Sequence, residues 1–383
     1  MVPKVAIVTN VVPSYRTGFY DRLFARKDLL VDVYCQSHIP GMNVRPVHDR
    51  YPGRVHLVRA ISADKEALSW QSLPWRKILF GYDVVFVDGN PRIVSHAMAA
   101  SVLRLLGRTV VLWTMGHSYR DSATERIRLR WTRSFPRIFL YTDAEVRAFR
   151  SNGFAGHDLS AMNNGLDQQQ IDAAIGEWDD DRLDAWRQAQ HLDGRAILLS
   201  CTRLEPKNKF DLMMRALPAI ARDVPTGTWC IVGGGPERDR LIALARDLGL
   251  SDRVRFVGEQ YDERELAPWF LSAGLFVHPG AIGLSLLHAF GYGVPVVTHG
   301  SADRHGPEFG AFEENLTGRT FREDDSEDLG HTITTLLKDA PARAAMKRRV
   351  QHVARHDYNV DVMVERFVQA ARRAAGIAPA DMR

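Results

Sequence analysis

The sequence predicts an α/β protein made of two doubly wound halves, and three observations carry that reading. Short apolar runs alternate with helix-spaced segments through the first half of the chain and again from residue 196 onward. A polar interval, 163–195, separates the two series. The apolar runs are continuous, as expected of strands buried on both faces of a parallel sheet. At 383 residues the chain also suits two domains better than one core.

In chain order, residues 5–9, 30–35, 54–57, 84–87, 109–113 and 138–141 are rich in Val, Ile, Leu and aromatics and predict the strands of a first sheet. Segments 18–26, 92–106 and 143–151 have the helical spacing that would cross between them. The interval that follows begins NNGLDQQQ and continues into a polar helical stretch containing Asp179, Asp180 and Asp181. It reads as a linker, and the triplet as a solvated helix start instead of a metal site. Alternation resumes with a strand at 196–201, a helix at 210–222, a strand at 229–232, and the turn Gly233-Gly234-Gly235-Pro236 into a helix at 237–248. A strand at 253–257 and a helix at 263–271 come next. Residues 276–297, FVHPGAIGLSLLHAFGYGVPVV, read as strand, glycine loop, helix and strand, and helices at 326–338 and 360–375 close the chain. The domains expected are 1–165, a linker at 166–195, a second domain at 196–357, and a helical segment at 358–383 that packs back on the first domain. Ligands of two such halves are expected in the cleft between them, at the carboxyl ends of the strands.

Composition narrows the function. Hydrophobic and charged fractions of 45% and 25% are those of a soluble globular protein. There is no run of about 18 apolar residues to span a membrane. Nor does Lys4 followed by VAIVTN and Pro13 have the form of a secretory signal. Cys35, Cys201 and Cys230 show no paired spacing, which fits a reduced, cytoplasmic setting. Residues 1–175 carry 23 Lys+Arg against 15 Asp+Glu, a balance of +8 in a chain of +4 overall. The first half is therefore basic and expects an anionic partner. No basic tract with stacking aromatics suggests nucleic acid. Arg126, Arg130 and Arg133, at helical spacing beside Ile127 and Trp131, form a stripe that could rest on anionic lipid at the inner face of a membrane; the alternative is a solvated helix face.

Some residues carry chemistry by position. Gly280, Ala281, Ile282, Gly283 and Leu284 fall at a helix N-terminus, where unpaired N–H groups and the helix dipole favour an anion. Arg203 follows the strand at 196–201 and would stand at the carboxyl end of the sheet, where a guanidinium grips phosphate oxygens bidentately. Arg16, Thr17 and Gly18 would form the first strand-to-helix turn, an anion site by the same logic or an ordinary turn. His117, in the loop TMGHSYR, can donate to a sugar hydroxyl or shuttle a proton. His278, His288, His299 and His305 match no familiar metal-ligand spacing, and no metal is expected.

Five blocks occur in order in the second half: TRLEPKNKFDLMMRAL from Thr202, IVGGGPERDRL from Ile231, VRFVGE from Val254, HPGAIGLSLLHAFGYGVPVV from His278 and HGPEFGAFEENLTG from His305. The succession resembles the retaining family 4 glycosyltransferases (glycosyl transferases group 1). Weaker echoes in the first half are the turn at Ser14 to Gly18, the loop holding His117, and Asn164-Gly165-Leu166-Asp167 at the domain junction. The resemblance implies a GT-B fold, two Rossmann-like doubly wound domains facing a central cleft. It implies transfer of a sugar, with retention, from a nucleoside diphosphate sugar of UDP or GDP type to a glycan, lipid-linked or small-molecule acceptor. No cofactor beyond that donor and no divalent ion is implied.

The resemblance also assigns roles and exposes departures. Arg203 and a following lysine would hold the leaving diphosphate. The usual lysine position is Asn208 here, so Lys207 or Lys209 would serve. The family's glycine-loop motif has two glutamates eight positions apart, and this chain has Gly280 and His288 instead. Donor contacts would then fall to backbone N–H groups of Gly280, Ala281 and Ile282, to His288 on a ribose hydroxyl, and to Glu308, which matches a recurrent family glutamate. For His288 the alternative is a helix-face histidine, and for Glu308 a first-turn acid. Gly258 and Tyr261 would meet the base, and His117 would lie near the reacting sugar. The rival readings are an epimerase on the same fold and a sugar-nucleotide-binding protein without catalysis.

Overall fold

The computed structural model describes residues 2–39, 46–62, 68–116 and 123–377. Within them the chain forms two compact units. Unit 1 holds the chain up to Asn164 together with the stretch from Val360, and unit 2 is Gly165–Asn359.

Unit 1 contains β1 (Lys4–Val8), β2 (Leu30–Cys35), β3 (Val55–Leu57), β4 (Ala60–Ser62), β5 (Ser69–Gln71), β6 (Val84–Asp88), β7 (Val110–Trp113), β8 (Arg137–Leu140) and β9 (Asp158–Ala161). Its helices begin with α1 (Thr17–Ala25), α2 (Trp75–Phe80), α3 (Val94–Leu105), α4 (Ala123–Thr132) and α5 (Asp143–Phe149). Among the described residues, seven strands pair in the order β3-β2-β1-β6-β7-β8-β9, all parallel. β4 and β5 make a separate antiparallel pair. These two and β9 are three- or four-residue strands with polar members, too short for the apolar pattern to reveal.

Unit 2 contains α6 (Gln168–Gly176), α7 (Asp180–Ala189), β10 (Ala196–Cys201), α8 (Phe210–Asp223), β11 (Gly227–Val232), α9 (Arg238–Asp247), β12 (Val254–Gly258), α10 (Glu263–Ser272), β13 (Ala273–His278), α11 (Leu284–Gly291), β14 (Val296–His299), β15 (Gly318–Phe321), α12 (Ser326–Lys338) and α13 (Ala340–His352). Its described strands run β12-β11-β10-β13-β14-β15, again all parallel. Trp229 Nε1 donates to Ser200 Oγ at 2.9 Å and Ser200 Oγ to the Val277 carbonyl at 2.6 Å. A buried indole is thus satisfied across three strands, as burial demands.

The interval read as a linker folds into α6 and α7, which contact α10 within unit 2. Ile171 and Ala174 enter the core, and Trp186 meets Trp269 edge-on at 4.8 Å. Asp179 caps α7 by accepting from the Arg182 N–H at 2.7 Å, so the aspartate triplet is a helix start. The chain ends its described course in α14 (Val360–Ala374), whose Met363, Val364, Phe367, Val368 and Ala371 share one face and join the unit 1 core. Phe367 lies 4.5 Å from Phe86 between ring centroids, and its burial contributes about 3 kcal/mol. Arg366 adds a bidentate pair to Asp143, both bonds 2.8 Å.

In each sheet the strand order reverses at one place, between β1 and β6 and between β10 and β13. Loops leaving the carboxyl ends of strands on either side of such a point diverge and leave room for a ligand. Among the described residues no helix is long and apolar enough to cross a membrane. Of the predicted basic stripe, Arg126, Ile127 and Arg130 are exposed, while Arg133 binds the Asn152 carbonyl at 3.0 Å and covers the Phe154 ring.

Candidate active site

Two loops meet at the switch point of unit 2. The first leaves β10 through Thr202 and Arg203, and Asn208 folds it back by donating its side-chain amide to the Arg203 carbonyl at 2.6 Å. The second leaves β13 through His278 into Gly280 and Gly283, the N-cap of α11. They touch at Gly280. A side chain there would run into the Lys207 carbonyl and stand 2.6 Å from the Asn208 Cα. Position 280, where the resemblance expected a glutamate, is therefore glycine because the first loop fills the space. Gly233 plays the same part on the other flank, where a side chain would strike the Thr202 carbonyl.

The charged groups on these loops are paired. Arg203 and Lys207 share Glu205, at 3.4 and 2.9 Å, and both remain exposed, 54% and 68% by side chain. Lys209 is 29% exposed and lies between Glu323 at 2.9 Å and Asp324 at 2.7 Å. Its backbone is left-handed, φ 51°, a conformation costing about 1–3 kcal/mol in a residue with a side chain. Hydrogen bonds from Lys209 and Ser301 hold the Glu323 carboxyl down at about 2. The two candidate lysines thus differ: Lys207 faces solvent beside Arg203, and Lys209 is committed to β15's exit.

At the second loop the structure changes which N–H groups are free. Ile282 donates to His305 Nδ1 at 3.1 Å, so its N–H is spent and cannot serve a phosphate as expected. Because Nδ1 accepts, the His305 proton sits on Nε2, which donates to the His299 carbonyl at 2.9 Å. Burial lowers the pKa of both His305 and His278 to about 4, and His278 Nδ1 donates to the Gly280 carbonyl at 3.2 Å. The N–H groups of Gly280, Ala281, Gly283 and Leu284 have no partner among the described residues. Glu308 is 6% exposed, and its carboxylate lies beside Gly283 and Gly306. A carboxylate is thus supplied from the segment after β14 to a glycine loop that has none of its own.

His288 stands on α11 hydrogen-bonded within unit 2, as in the helix-face alternative given for it. Its Nε2 lies 3.1 Å from Glu263 Oε2, and the half-buried Cys201 at the end of β10 is a near neighbour. Burial alone would lower its pKa, but Cys201 and Glu263 raise it to about 10. Tyr292 donates to the same Glu263 oxygen at 2.7 Å. Burial favours the neutral Glu263 acid, yet His288 and Tyr292 together bring its pKa below the ordinary value. Nε2 of His288 is engaged, and a direct bond from it to ribose would have to break this contact. Glu263 is the group the sequence reading missed: it lies 25 residues from His288, on another helix, with no motif to mark it.

Other predicted positions are simpler. Gly258 ends β12, its carbonyl accepting from the Gly233 N–H at 2.7 Å. Tyr261 is 83% exposed with its hydroxyl on Glu259 at 3.1 Å. Gly18 falls in the first turn of α1, and the turn itself is Ser14–Arg16.

At the switch point of unit 1, the Arg16 guanidinium lies 5.4 and 5.6 Å from the ring centroids of Trp113 and Tyr141. Asp88, at the end of β6, accepts from the Asn90 N–H at 3.1 Å. Burial pushes its carboxyl up to about 6, with that hydrogen bond and Arg16 opposing. His117 lies outside the described residues. The stem before it is pinned: the Gly116 N–H donates to Glu145 Oε1 at 2.7 Å, while Glu145 closes the capping box of α5 with Thr142.

The group of proteins this architecture serves is settled by comparison. The family model for glycosyl transferases group 1 matches residues 183–353. A GDP-mannose-dependent alpha-(1-6)-phosphatidylinositol monomannoside mannosyltransferase of Mycolicibacterium smegmatis is 31% identical over 272 residues, 64% of this chain and 67% of that protein. The chain belongs to the glycosyl transferases group 1 family. It is a glycosyltransferase with the GT-B pair of Rossmann-like domains. Matches to two Mycobacterium tuberculosis counterparts are shorter, spanning 43% of their length. A D-inositol 3-phosphate glycosyltransferase of Catenulispora acidiphila is 33% identical over 43% of this chain and 40% of its own. For the fold alone, the crystal structure of Anabaena HepE in complex with UDP superposes with a TM-score of 0.69 at 18% identity, covering 97% of this chain and 100% of that one.

Proposed function

We propose that this glycosyltransferase takes a hexose from a nucleoside diphosphate sugar and places it on a hydroxyl acceptor with retention of configuration. The observation that carries the reading is the packing of the Arg203 loop on the Gly280 loop at the switch point of unit 2. There, an exposed guanidinium and a helix N-terminus with free N–H groups face the place a diphosphate would occupy. Charge developing on the leaving diphosphate would be met by Arg203, by Lys207 once Glu205 yields, and by the N–H groups of Gly280 and Ala281. In a front-face displacement the leaving phosphate oxygen accepts the acceptor proton as the new bond forms, and no enzymic nucleophile is required. Glu308 and the Glu263 carboxylate, held ionised by His288, are the groups suited to a ribose diol.

The relative dependent on GDP-mannose places that donor first in the order of testing, and the HepE complex adds UDP-glucose as a second. The relatives' names also favour inositol-containing or lipid-linked acceptors. A thermal-shift series over nucleoside diphosphates, followed by donor hydrolysis with and without acceptor, tests the reading. Selective stabilisation by one diphosphate and slow release of that diphosphate from its sugar conjugate are expected. Tight binding with no turnover on any donor would favour a binding protein without catalysis, and a trapped glycosyl-enzyme adduct would overturn the front-face mechanism.

A further inference from the structure

The glycine loop before α11 can present its N–H groups to an anion only if something holds it still, and the residue that does so is not on the loop. Between Gly280 and Leu284, Ile282 alone has its N–H bonded among the described residues. Its partner is His305 Nδ1, at 3.1 Å, and the Ile282 carbonyl accepts from the next N–H along, that of Gly306, at 2.7 Å. Both main-chain groups at the middle of the loop are therefore fastened to one two-residue stretch after β14.

His305 is itself fixed. It is fully buried, its Nε2 donates to the His299 carbonyl at the end of β14, and its ring stacks on His299 at 3.9 Å and on Phe309 at 4.2 Å between centroids. The ring thus ties the loop leaving β13 to the end of the neighbouring strand β14. This position needs an acceptor and a donor on one rigid group, which a neutral imidazole supplies. A phenylalanine would keep the stacking but leave the Ile282 N–H and the His299 carbonyl unmatched in a buried place, at a cost in free energy. Protonation of Nδ1 would set its N–H against the N–H of Ile282 and break the tie. The titratable groups that face the ring are His299 stacked on it, His278 across the loop, and the Glu323 and Asp303 carboxylates. Burial outweighs the carboxylates and the bond to the His299 carbonyl, and keeps the ring neutral until about pH 4.

We propose that His305 is a positioning residue of the donor site, its neutral ring fastening Ile282 and so aiming the N–H groups of Gly280, Ala281, Gly283 and Leu284 at the donor's diphosphate. The positioning role rests on the glycosyl transfer proposed above; the fastening of the loop does not. His305 touches no substrate and acts through the backbone of Ile282.

Two substitutions separate the two bonds of the ring. His305→Asn sets an amide oxygen near the place of Nδ1 and retains the acceptor for Ile282. His305→Gln reaches the His299 carbonyl with its amide N–H and leaves Ile282 without a partner. Binding of GDP and of UDP is measured by calorimetry, and amide exchange of residues 280–286 by mass spectrometry, on the full-length protein and both variants. His305→Asn is expected to retain the slow Ile282 amide and to stay within about threefold of the original affinity for the diphosphate that binds. His305→Gln is expected to lose the slow amide and roughly ten- to a hundredfold in affinity. Equal losses in both variants, no loss in either, or a greater loss in His305→Asn would mean that the ring only fills space, and each overturns the proposal. Where a variant does not fold, 15N-histidine spectra of the unsubstituted protein decide. With diphosphate bound, His305 must be neutral and protonated on Nε2, and any other state overturns the proposal. A protein that binds neither diphosphate would sink the functional reading and the positioning role with it, while amide exchange still answers separately whether His305 fastens the loop.

Discussion

At the carboxyl edge of unit 2 the cations are already matched: Arg203 and Lys207 by Glu205, Lys209 by Glu323 and Asp324, His288 by Glu263. At the corresponding edge of unit 1, two buried donors, Arg16 Nε and Trp113 Nε1, have no acceptor among the described residues. One strand order thus ends in two kinds of surface. A paired edge keeps its cations in place but partly neutralised, so an anionic ligand must exchange with carboxylates already there, and specificity arises from that exchange. The unmatched donors of unit 1 carry their desolvation cost within the packed sheet edge, out of reach of solvent.

The largest expected effect tests the paired edge. Arg203→Ala should lower turnover roughly 100- to 1,000-fold, the usual cost of losing one donor aimed at developing charge. Measured as kcat/KM with the preferred donor, a change below about threefold would remove Arg203 from the site and with it the contrast between the two edges. Next is Glu263→Gln. Removing one partner of a mostly buried pair costs about 3 kcal/mol, read as a lowered urea midpoint, because His288 would be left without its counter-charge. An unchanged midpoint would mean the pair contributes nothing to unit 2.

A smaller effect lies in pH, where unit 2 should show opposed limits. His278 and His305 have folded pKa values near 4 against an ordinary 6.5, so their contribution is present above pH 6.5 and lost as pH falls through 4. His288, raised to about 10, contributes fully below pH 6.5 and loses that contribution as pH rises through 10. The thermal midpoint of the unit is therefore expected to peak near pH 6.5, and a midpoint still rising at pH 9 would contradict the His288 pairing. The smallest effect separates the lysines. Lys207→Met should weaken nucleoside diphosphate binding roughly three- to tenfold with little change in stability, since exposed ion pairs contribute about 0–1 kcal/mol. Lys209→Met should do the reverse, and equal effects on binding would restore the choice between them.

Much of the unit 2 site was legible because strand, loop and helix follow one another along the chain. Periodicity alone places Arg203 after β10 and Gly280 before α11, at the same edge of one sheet. The pairs across that edge were not legible. Ile282 with His305 and His288 with Glu263 are 23 and 25 residues apart, with no repeating interval to connect them. Unit 1 was read less completely. Arg16 was noted as a turn residue, but Asp88 and Trp113 ended ordinary apolar strands, and nothing local marked them as neighbours of Arg16.

By itself, then, the sequence determined the alternation of strands and helices, the two-unit plan, the loops at the carboxyl edges and the family blocks, because each is written in local periodicity or short contiguous motifs. Only the tertiary structure decided why position 280 must be glycine, where His288 finds its carboxylate, which N–H groups stay free, and which donors in unit 1 are left unmet. Those depend on side chains brought together from distant segments, and the energy of a buried polar group is set by the partner that packing supplies or withholds.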